Sequence, residues 1–252
     1  MEQIAEAIKS NFSDYCETIY CKSSGTLPNT GTDYFLFGNK AEAVAKENNI
    51  LFSVNWVEGQ KTGFFLDQRE NRKLLGEFSK GKKVLNTFCY TGGFSIYAMS
   101  AGAELVTSVD ISQKAVDLAA SNMELNFPNA NHKAVADDVF NFMKEHTQQY
   151  DVIVLDPPAF AKSIKSKHTA TQAYKRLNIA GLKALAPNGI LFTFSCSQVI
   201  DDVLFYNTVA AAAIETGRNI RVLHKLEQGP DHPTNIYHPE GHYLKGLVLF
   251  VE

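Results

Sequence analysis

A glycine pair between an apolar strand and an apolar helix constrains the fold of this chain more than any other feature. Val84 and Leu85 are typical of a buried parallel strand, and Gly92-Gly93 let the backbone turn sharply and approach a ligand. The next apolar strand stops at Asp110. An acidic residue about twenty positions beyond a glycine turn is how a βαβ unit holds the two hydroxyls of a ribose. The turn therefore predicts a βαβ unit that binds a nucleoside.

The alternative for this turn is structural: a glycine-rich bend in the core, with Asp110 capping the helix that follows it. The GxGxxG pattern of nicotinamide-dependent enzymes is absent from the turn, so a dinucleotide is not favoured. A nucleoside ligand without a pyrophosphate fits better. S-adenosylmethionine is the commonest ligand of that kind and is the expected cofactor.

Strands and helices alternate from Lys83 to the end of the chain. The expected strands begin at Lys83 and continue with Leu105–Val109, His132–Val135, Asp151–Leu155, Gly189–Phe194, Ile220–Leu226 and Tyr243–Val251. The expected helices are Gln113–Asn126, Asp138–His146, Gln172–Leu185 and Val203–Thr216. Such alternation predicts an α/β fold, a doubly wound and mostly parallel Rossmann-like sheet. The last two strands are expected to form an antiparallel edge.

Residues 1–66 are predicted to form a small, β-rich α+β extension, and residues 67–252 the second domain. The elements expected in the extension are a helix over 1–12, β-rich stretches at Tyr15–Cys21 and Tyr34–Phe37, and an antiparallel sheet of Glu42–Lys46, Asn49–Val57 and Gly63–Leu66. Asp67 and Glu70 have the spacing of a capping box, which predicts that a helix begins at Asp67.

Composition and charge are those of an ordinary globular protein. The 252 residues are 45% hydrophobic and 20% charged, and a net charge of −3 argues against broad, sequence-independent nucleic-acid binding. No apolar run approaches the roughly 18 residues that span a membrane, and the first residues lack the pattern of a signal peptide. The four cysteines show neither a CxxC pair nor zinc spacing and are interpreted as reduced thiols. A cytoplasmic protein with no metal site is expected.

Four residues that could bind a ligand or take part in catalysis lie at the ends of predicted strands: Asn86, Asp110, Asp156 and Cys196. Because the carboxyl ends of parallel strands meet at one edge of a sheet, and ligands bind there, these side chains are expected to line one crevice.

A proline-stiffened loop follows the predicted strand Asp151–Leu155 and reads Asp156-Pro157-Pro158-Ala159-Phe160. A carboxylate held there can accept a hydrogen bond from an exocyclic amine or a protonated ring nitrogen of a base, and Phe160 could stack on that base. The alternative is a rigid loop that closes the sheet, with Asp156 bonded to backbone donors. The basic residues just beyond are either a solvated loop or contacts to phosphates. They are Lys162, Lys165, Lys167 and His168.

Cys196 lies at the end of the next predicted central strand, opposite the Asp-Pro-Pro loop. A free cysteine is most often a small buried hydrophobe, but a thiolate at this position could act as a covalent nucleophile. Cys89, inside the glycine loop, is the rival thiol, whereas Cys16 and Cys21 are expected to be structural.

Asp137-Asp138 follows the third strand of the predicted sheet. The carboxylate of Asp138 suits the amino group of an adenine, with Val139 against the ring face. The alternative role of Asp138 is to cap the helix that begins there, and the two roles are compatible.

With these residues identified, the chain resembles the RlmI-type class I S-adenosylmethionine-dependent RNA methyltransferases, which make 5-methylcytosine in large-subunit ribosomal RNA. The segments that carry the resemblance are GQKTGFFLDQRENR at 59–72, VLNTFCYTGGF at 84–94, Asp110, DVF at 138–140, DPPAF at 156–160, SCSQ at 195–198, DHP at 231–233 and YLKG at 243–246. The first and last of these motifs are far more specific than a methyltransferase glycine loop alone. The resemblance covers the chain from about residue 40 onward and implies the class I methyltransferase fold, with a seven-stranded sheet.

The resemblance also implies a mechanism. The Cys196 thiolate would add to C6 of the target cytosine and make C5 nucleophilic enough to attack the methyl group, while Asp156 would hold the N3/N4 edge of the base. A base would then remove the C5 proton, and the thiol would leave. Many RNA cytosine-C5 enzymes carry a second cysteine in the Asp-Pro motif for that release; here Pro157-Pro158 follow Asp156, and the releasing base is unidentified.

The resemblance also implies cofactor contacts. They are Asn86, Phe88, Tyr90 and Gly92 around the methionine, Asp110 on the ribose, Asp138 on the adenine, and Asp67 and Arg69 in the same pocket. Pro157, Phe160 and Lys162 are the expected substrate contacts.

Members of this family usually begin with a PUA RNA-binding domain, for which these 252 residues leave no room before the β-rich extension. Large-subunit ribosomal RNA is the expected partner. Three alternatives stay open at this point. They are a methyltransferase that modifies a nitrogen, such as a guanine amine, a non-catalytic RNA or ribosome-assembly binder that kept the fold, and a methyltransferase that acts on a small molecule.

Overall fold

The computed structural model describes residues 1–25, 31–161 and 163–252. Two compact units, Met1–Leu66 and Asp67–Glu252, make up the chain.

The first unit contains a helix and two antiparallel strand pairs. Its elements are α1 (Glu2–Phe12), β1 (Ile19–Cys21), β2 (Tyr34–Phe37), β3 (Glu42–Glu47) and β4 (Ile50–Asn55), with β1 paired to β2 and β3 to β4. Phe52 is fully buried, and its ring lies 4.7 Å from that of Phe64, centroid to centroid. The ammonium of Lys22 donates to the carbonyl oxygens of Trp56 and Val57 at 3.0 and 2.9 Å, which ties the segment after β1 to the turn after β4.

The predicted third strand of this sheet, Gly63–Leu66, is wrong. Gly63 has a φ of +90°, and its N–H donates to the carbonyl of Gln60 at 2.8 Å, so the turn that begins after β4 continues through it. A Cβ at Gly63 would lie 2.5 Å from the carbonyl oxygen of Asn55, which is a close approach that only glycine permits. The β-forming Phe64 and Phe65 therefore follow a tight turn instead of pairing as a strand.

The second unit is an α/β domain, as predicted. Its helices are α2 (Arg69–Glu77), α3 (Gly93–Ser100), α4 (Gln113–Asn126), α5 (Val139–Glu145), α6 (Lys167–Ala184) and α7 (Asp202–Thr216). Its strands are β5 (Lys83–Thr87), β6 (Leu105–Asp110), β7 (His132–Ala136), β8 (Tyr150–Leu155), β9 (Leu185–Ser195), β10 (Ile220–Leu226) and β11 (Lys245–Val251). The seven strands form one sheet in the order β10-β11-β9-β8-β5-β6-β7.

The sheet confirms the predicted topology. Strands β5 to β9 are parallel, and β11 runs antiparallel to both β9 and β10, which makes the expected antiparallel edge. From β5 the chain adds β6 and β7 on one side of the sheet, and then adds β8 and β9 on the other side. The strand order therefore reverses between β5 and β8. In doubly wound sheets such a reversal opens a crevice at the carboxyl ends of the two strands.

Two hydrophobic clusters hold the sheet in place. Leu155, Tyr174 and Phe205 belong to the larger cluster and are at most 1% exposed. Leu75 and Phe192 belong to the second and are fully buried. Each such side chain contributes about 1.5–3 kcal/mol through burial, which fixes the strand ends that position the site.

One helix of this unit begins earlier than the sequence predicts. The sequence predicts that this helix begins at Gln172, but α6 begins at Lys167. Ala170 is buried, and the hydroxyl of Thr171 donates to the carbonyl of Lys167 at 2.8 Å. Most residues of this first turn are polar, so composition alone indicates a loop. The one alanine that faces the core is what the composition does not reveal. Among the helices that the structure describes, none is long and apolar enough to cross a membrane.

Candidate active site

The loops after β5, β6, β8 and β9 meet at the carboxyl edge of the sheet. Asn86 and Thr87 end β5, Asp110 ends β6, and Asp156 follows β8 directly. Cys196 follows Ser195, the last residue of β9. The reversal of strand order lies between β5 and β8, so the crevice opens between the glycine loop and the Asp-Pro-Pro loop.

The glycine loop holds three residues in the left-handed region of backbone space. Phe88, Tyr90 and Gly92 have φ values of 53°, 45° and 78°. For bulky residues such as Phe88 and Tyr90 this conformation is strained, and strain of this kind concentrates at ligand-binding sites. A Cβ at Gly92 would lie 3.0 Å from the Cβ of Ala119, so the loop packs on α4 only because this position is glycine.

Asn86 supports this loop from beneath. Its side chain is 1% exposed, and its amide nitrogen donates to the hydroxyl of Ser95 at 2.9 Å. The Ser95 hydroxyl lies 2.6 Å from that of Ser108, which lies 2.7 Å from Nε2 of His132. Burial lowers the pKa of His132 to about 4, which keeps its imidazole neutral at neutral pH. A buried polar chain thus runs from the glycine loop across β6 to β7.

Asp110 is oriented by two backbone N–H groups. Its Oδ2 accepts from Tyr90 at 3.1 Å, and its Oδ1 accepts from Ser112 at 3.0 Å. The structural alternative, Asp110 as the cap of the next helix, is wrong: Ser112 is the N-cap of α4 and accepts from Ala115 at 3.4 Å. Each oxygen of an ionised carboxylate has two lone pairs, so the fixed carboxylate keeps acceptor sites that two ribose hydroxyls could use.

Asp138 is the N-cap of α5. Its Oδ1 accepts from the backbone N–H groups of Phe140 and Asn141 at 3.0 and 3.1 Å. The capping role is therefore confirmed. Because one oxygen takes both bonds, the other has acceptor capacity for an exocyclic amine, and the adenine contact remains a prediction.

The predicted capping box at Asp67 and Glu70 is wrong. Helix α2 begins at Arg69, its N-cap is Gln68, and no side chain caps it. Asp67 instead accepts a hydrogen bond at its Oδ2 from the hydroxyl of Tyr243 at 2.7 Å. Its other carboxylate oxygen, Oδ1, is buried and has no hydrogen-bond partner within the described part of the chain. A carboxyl group with a buried, unbonded oxygen suits an ammonium donor supplied by a ligand.

Arg69 forms ion pairs with two acidic side chains. Its Nη1 lies 3.0 Å from Oδ2 of Asp231, and its Nε lies 3.0 Å from Oε1 of Glu70. The backbone N–H of Gly229 also donates to the carbonyl of Asp67 at 3.3 Å. The segment around Asp67 and the C-terminal motifs thus form one contact network. A cofactor contact of Arg69 remains a prediction.

Asp156 is partly accessible to solvent, yet crowded by protein. Burial raises the pKa of its carboxyl to about 7, and the neighbouring charge of Asp67 raises it further. A hydrogen bond from Gln68 and the charge of Arg72 oppose the shift. Gln68 is itself held by Asn71, whose amide nitrogen donates to Oε1 of Gln68 at 2.7 Å. At neutral pH the carboxyl of Asp156 is therefore poised between a proton donor and a hydrogen-bond acceptor.

Cys196 contacts the Asp-Pro-Pro loop. Its Sγ lies 3.9 Å from the carbonyl oxygen of Pro157, and the thiol is partly exposed. The next residue, Ser197, is 1% exposed and donates from its hydroxyl to the carbonyl of Ala161 at 2.9 Å. The two bonds join the end of β9 to the loop after β8. The structure therefore brings the nucleophile predicted from the sequence to the loop that begins with Asp156.

The rival thiol, Cys89, has a different environment. It is 5% exposed, and burial together with the charge of Asp110 raises its pKa well above the ordinary range for a thiol. A thiol in that state is a poor nucleophile. Between these two cysteines, the geometry favours Cys196.

The expected substrate contacts lie in different environments. Pro157 is buried, and the ring of Phe160 lies 4.7 Å from that of Tyr174, so part of Phe160 packs against the core. Stacking of Phe160 on a base remains a prediction. Lys162 lies outside the described residues.

The sequence assigned no role to several residues of this site. Gln68, Asn71 and Arg72 are buried polar side chains on α2 or at its start, and the carbon stem of Arg72 would lie 3.0 Å from a Cβ at Gly93. Tyr243 reaches Asp67 across the fold. One sequence signal could have indicated them. Positions 68, 71 and 72 share one face of a helix, and polar residues occupy a face that is usually apolar when it packs against a core.

Taken together, these residues fit S-adenosylmethionine. An oriented carboxylate at Asp110, a spare oxygen at Asp138 and an unbonded, buried oxygen at Asp67 match the hydroxyls, amine and ammonium of that molecule. Among the described residues, no group of three or more His, Cys, Asp or Glu side chains could hold a metal ion.

Comparison with known proteins supports S-adenosylmethionine as the cofactor. The family model for S-adenosylmethionine-dependent methyltransferases matches residues 27–248. The ribosomal RNA large subunit methyltransferase I of Aeromonas hydrophila is 42% identical over 90% of this chain and 58% of its own length. The protein of the same name from Aeromonas salmonicida is 45% identical over 82% of this chain and 53% of its length. The chain thus spans little more than half the length of these relatives.

Solved structures share the fold. SMU.776, described as a methyltransferase complexed with SAH, superposes with a TM-score of 0.77 at 29% identity, over 86% of this chain and 58% of its own. Trm5b from Pyrococcus abyssi has a TM-score of 0.74 at 19% identity, over 100% of this chain and 68% of its own, and shows the fold alone. With the match of the family model to most of its length, the chain belongs to the S-adenosylmethionine-dependent methyltransferase family.

Proposed function

We propose that this chain methylates C5 of a cytosine in large-subunit ribosomal RNA through a covalent adduct with Cys196. The observation that carries the proposal is the approach of the Cys196 Sγ to the carbonyl oxygen of Pro157, at 3.9 Å, beside Asp156. Nitrogen-directed methyl transfer needs no thiol at this position. A partly exposed cysteine at the carboxyl edge of the sheet therefore favours carbon methylation.

In this proposal residues 67–252 form the catalytic domain and residues 1–66 an accessory unit. Bound S-adenosylmethionine supplies an electrophilic methyl group. Asp110 accepts from the ribose hydroxyls, Asp138 from the adenine amine, and Asp67 from the ammonium of the methionine end. The strained loop with Phe88, Tyr90 and Gly92 forms the wall of the pocket, with Asn86 beneath it.

The chemical steps follow from the placement of two side chains. The thiolate of Cys196 forms a bond to C6 of the cytosine, and the ring electrons move toward N3 and C5. Asp156 has a pKa near 7 and can donate its proton to N3 while accepting a hydrogen bond from the N4 amine. C5 then takes the methyl group, which would leave the cofactor as S-adenosylhomocysteine. A base removes the C5 proton, the electron pair of that C–H bond expels the thiolate, and N3 returns its proton to Asp156.

The substrate class is supported by the relatives. Proteins named ribosomal RNA large subunit methyltransferase I are 41–45% identical to this chain over 82–90% of its length. The net charge of −3 argues against broad electrostatic binding of RNA. We therefore expect the chain to recognise one structural element of ribosomal RNA, in the cytoplasm where that RNA is found.

A trapping experiment tests the covalent step. Large-subunit ribosomal RNA containing 5-fluorocytidine, incubated with the chain and S-adenosylmethionine, should form a protein–RNA complex that survives denaturing electrophoresis, because the fluorine at C5 cannot be removed as a proton is. Cys196→Ala should abolish both the complex and methyl transfer but keep cofactor binding. Cys89→Ser is the matched control and should still form the complex. Full methyl transfer by Cys196→Ala would rule out the covalent mechanism.

A further inference from the structure

Lys245 is a buried cation beside the strand end that carries Cys196. It is the first residue of β11, is 3% exposed and pairs with Ser195 across the sheet. Neighbouring strands lie about 4.8 Å apart, so Lys245 stands one strand away from the residue that precedes the thiol. Its Nζ donates to the carbonyl oxygen of Ser197, the residue after Cys196, at 2.8 Å. The ammonium is therefore tied to the backbone segment that presents the nucleophile.

Burial of an ammonium ion is costly unless an opposite charge accompanies it. In the part of the chain that the structure describes, Lys245 forms no ion pair with a carboxylate, and its polar contact is the Ser197 carbonyl. The groups whose negative charge acts on it are Asp202 and Asp201, at the start of α7, and Cys196. A thiolate at Cys196 would thus offset part of the cost of burying this cation.

We propose that Lys245 is a positioning residue for the nucleophile: its ammonium favours the thiolate form of Cys196, while its bond to Ser197 holds the segment that carries the thiol. This inference rests on the proposed role of Cys196. In this proposal a lysine on the neighbouring strand promotes formation of the thiolate, which would otherwise need a general base beside the thiol.

The surrounding charges are consistent with this role. Burial lowers the pKa of Lys245, whereas Asp202, Cys196 and Asp201 act to raise it. The interaction is reciprocal, because a thiolate that favours the ammonium is favoured by it to the same extent.

Among the described residues, two tyrosines also interact electrostatically with the thiol. Tyr174 on α6 and Tyr243 before β11 both act electrostatically with Cys196. Burial raises the pKa of Tyr174 to about 12 and that of Tyr243 well above its ordinary value, so both hydroxyls stay neutral. Asp156, with a pKa near 7, is partly protonated at neutral pH and opposes the thiolate only in its ionised fraction.

The test is the pH dependence of iodoacetamide alkylation at Cys196, followed by peptide mass spectrometry in the absence of RNA and cofactor. Cys16 is also partly exposed and serves as an internal reference in every sample. Lys245→Gln keeps a donor for the Ser197 carbonyl but removes the charge. It should raise the pH midpoint of Cys196 alkylation by about one unit, which corresponds to about tenfold less thiolate at a pH below the midpoint. Lys245→Arg keeps the charge and should keep the midpoint near that of the unmodified chain.

Lys225→Gln is the matched control. Lys225 lies on β10, one strand further from Cys196, and its ammonium stacks over Tyr206 at 5.8 Å. It should leave the midpoint unchanged. A shift in Lys245→Gln no larger than that in Lys225→Gln would overturn the proposal.

A measurement on the unsubstituted chain keeps the test decisive if Lys245→Gln does not fold. Cys196 should then titrate below Cys16, and a midpoint at or above that of Cys16 would overturn the proposal. Since alkylation needs no methyl transfer, its outcome is separate from that of the covalent mechanism. If the chain did not methylate RNA but the midpoint of Cys196 alkylation still shifted in Lys245→Gln, only the proposed function would be contradicted.

Discussion

Replacement of Asp156 by asparagine should stabilise the protein while removing its activity. The pKa of Asp156 is raised from 3.8 to about 7, so the native state keeps a proton that the unfolded chain has lost between about pH 4 and pH 7. Stability therefore falls as the pH rises through this window, and the loss is complete above pH 7. Asparagine resembles the neutral carboxyl and does not titrate, so this loss disappears in Asp156→Asn.

The magnitude follows from the pKa difference. A rise of about 3 units, at 1.36 kcal/mol each, corresponds to a penalty of about 4 kcal/mol at pH 8 as an upper bound. Because Asp156 is partly accessible to solvent, screening reduces the expected gain in the free energy of unfolding to about 2 kcal/mol. At pH 4 the gain should be close to zero.

Urea unfolding followed by circular dichroism at pH 4, 6 and 8 measures this gain. Asp117→Asn is the matched control, since Asp117 lies exposed on α4 and should change the free energy of unfolding by less than about 0.5 kcal/mol at each pH. The same variants are assayed for methyl transfer, which Asp156→Asn should lose and Asp117→Asn keep. Equal pH slopes for Asp156→Asn and the unsubstituted chain would refute the assignment of a raised pKa to Asp156.

Further predictions concern the supports of the site. Tyr243→Phe removes the donor to Asp67 and should cost about 1 kcal/mol of unfolding free energy, measured by urea titration; no loss would contradict the bond. Gly92→Ala places a Cβ 3.0 Å from that of Ala119 at a φ of +78° and should weaken S-adenosylmethionine binding and lower stability by more than about 1 kcal/mol, measured by calorimetry and thermal melting. The depressed pKa of His132, about 4, means that stability is fully present above pH 6.5 and is lost as the pH falls from 6.5 to 4. His132→Gln should flatten that loss, and an unchanged acid limb of the stability profile would contradict it.

The fold could be predicted from the sequence because the strands of the second unit are short apolar runs separated by clear turn signals. Their carboxyl ends carry Asp110, Asp156 and Cys196, so the parallel topology alone brought these residues to one edge. The antiparallel edge was predicted from the two consecutive β-rich segments that close the chain, whereas the order of the strands is known only from the structure.

Long-range contacts could not be predicted. Asp67 has the local spacing of a helix cap, but its carboxylate bonds to Tyr243, 176 positions away in the sequence. Lys245 begins a strand, where a lysine would ordinarily be solvated, yet it is 3% exposed and its ammonium donates to the carbonyl of Ser197. Local patterns carry no information about such partners, and the pKa of Asp156 depends on neighbours of this kind.

The identity of the methylated base tests the proposed chemistry most directly. Large-subunit ribosomal RNA is incubated with the chain and isotopically labelled S-adenosylmethionine, digested to nucleosides and analysed by mass spectrometry. We predict labelled 5-methylcytidine with the unsubstituted chain and none with Cys196→Ala. A labelled methylguanosine, or 5-methylcytidine formed equally well by Cys196→Ala, would contradict carbon methylation through this cysteine.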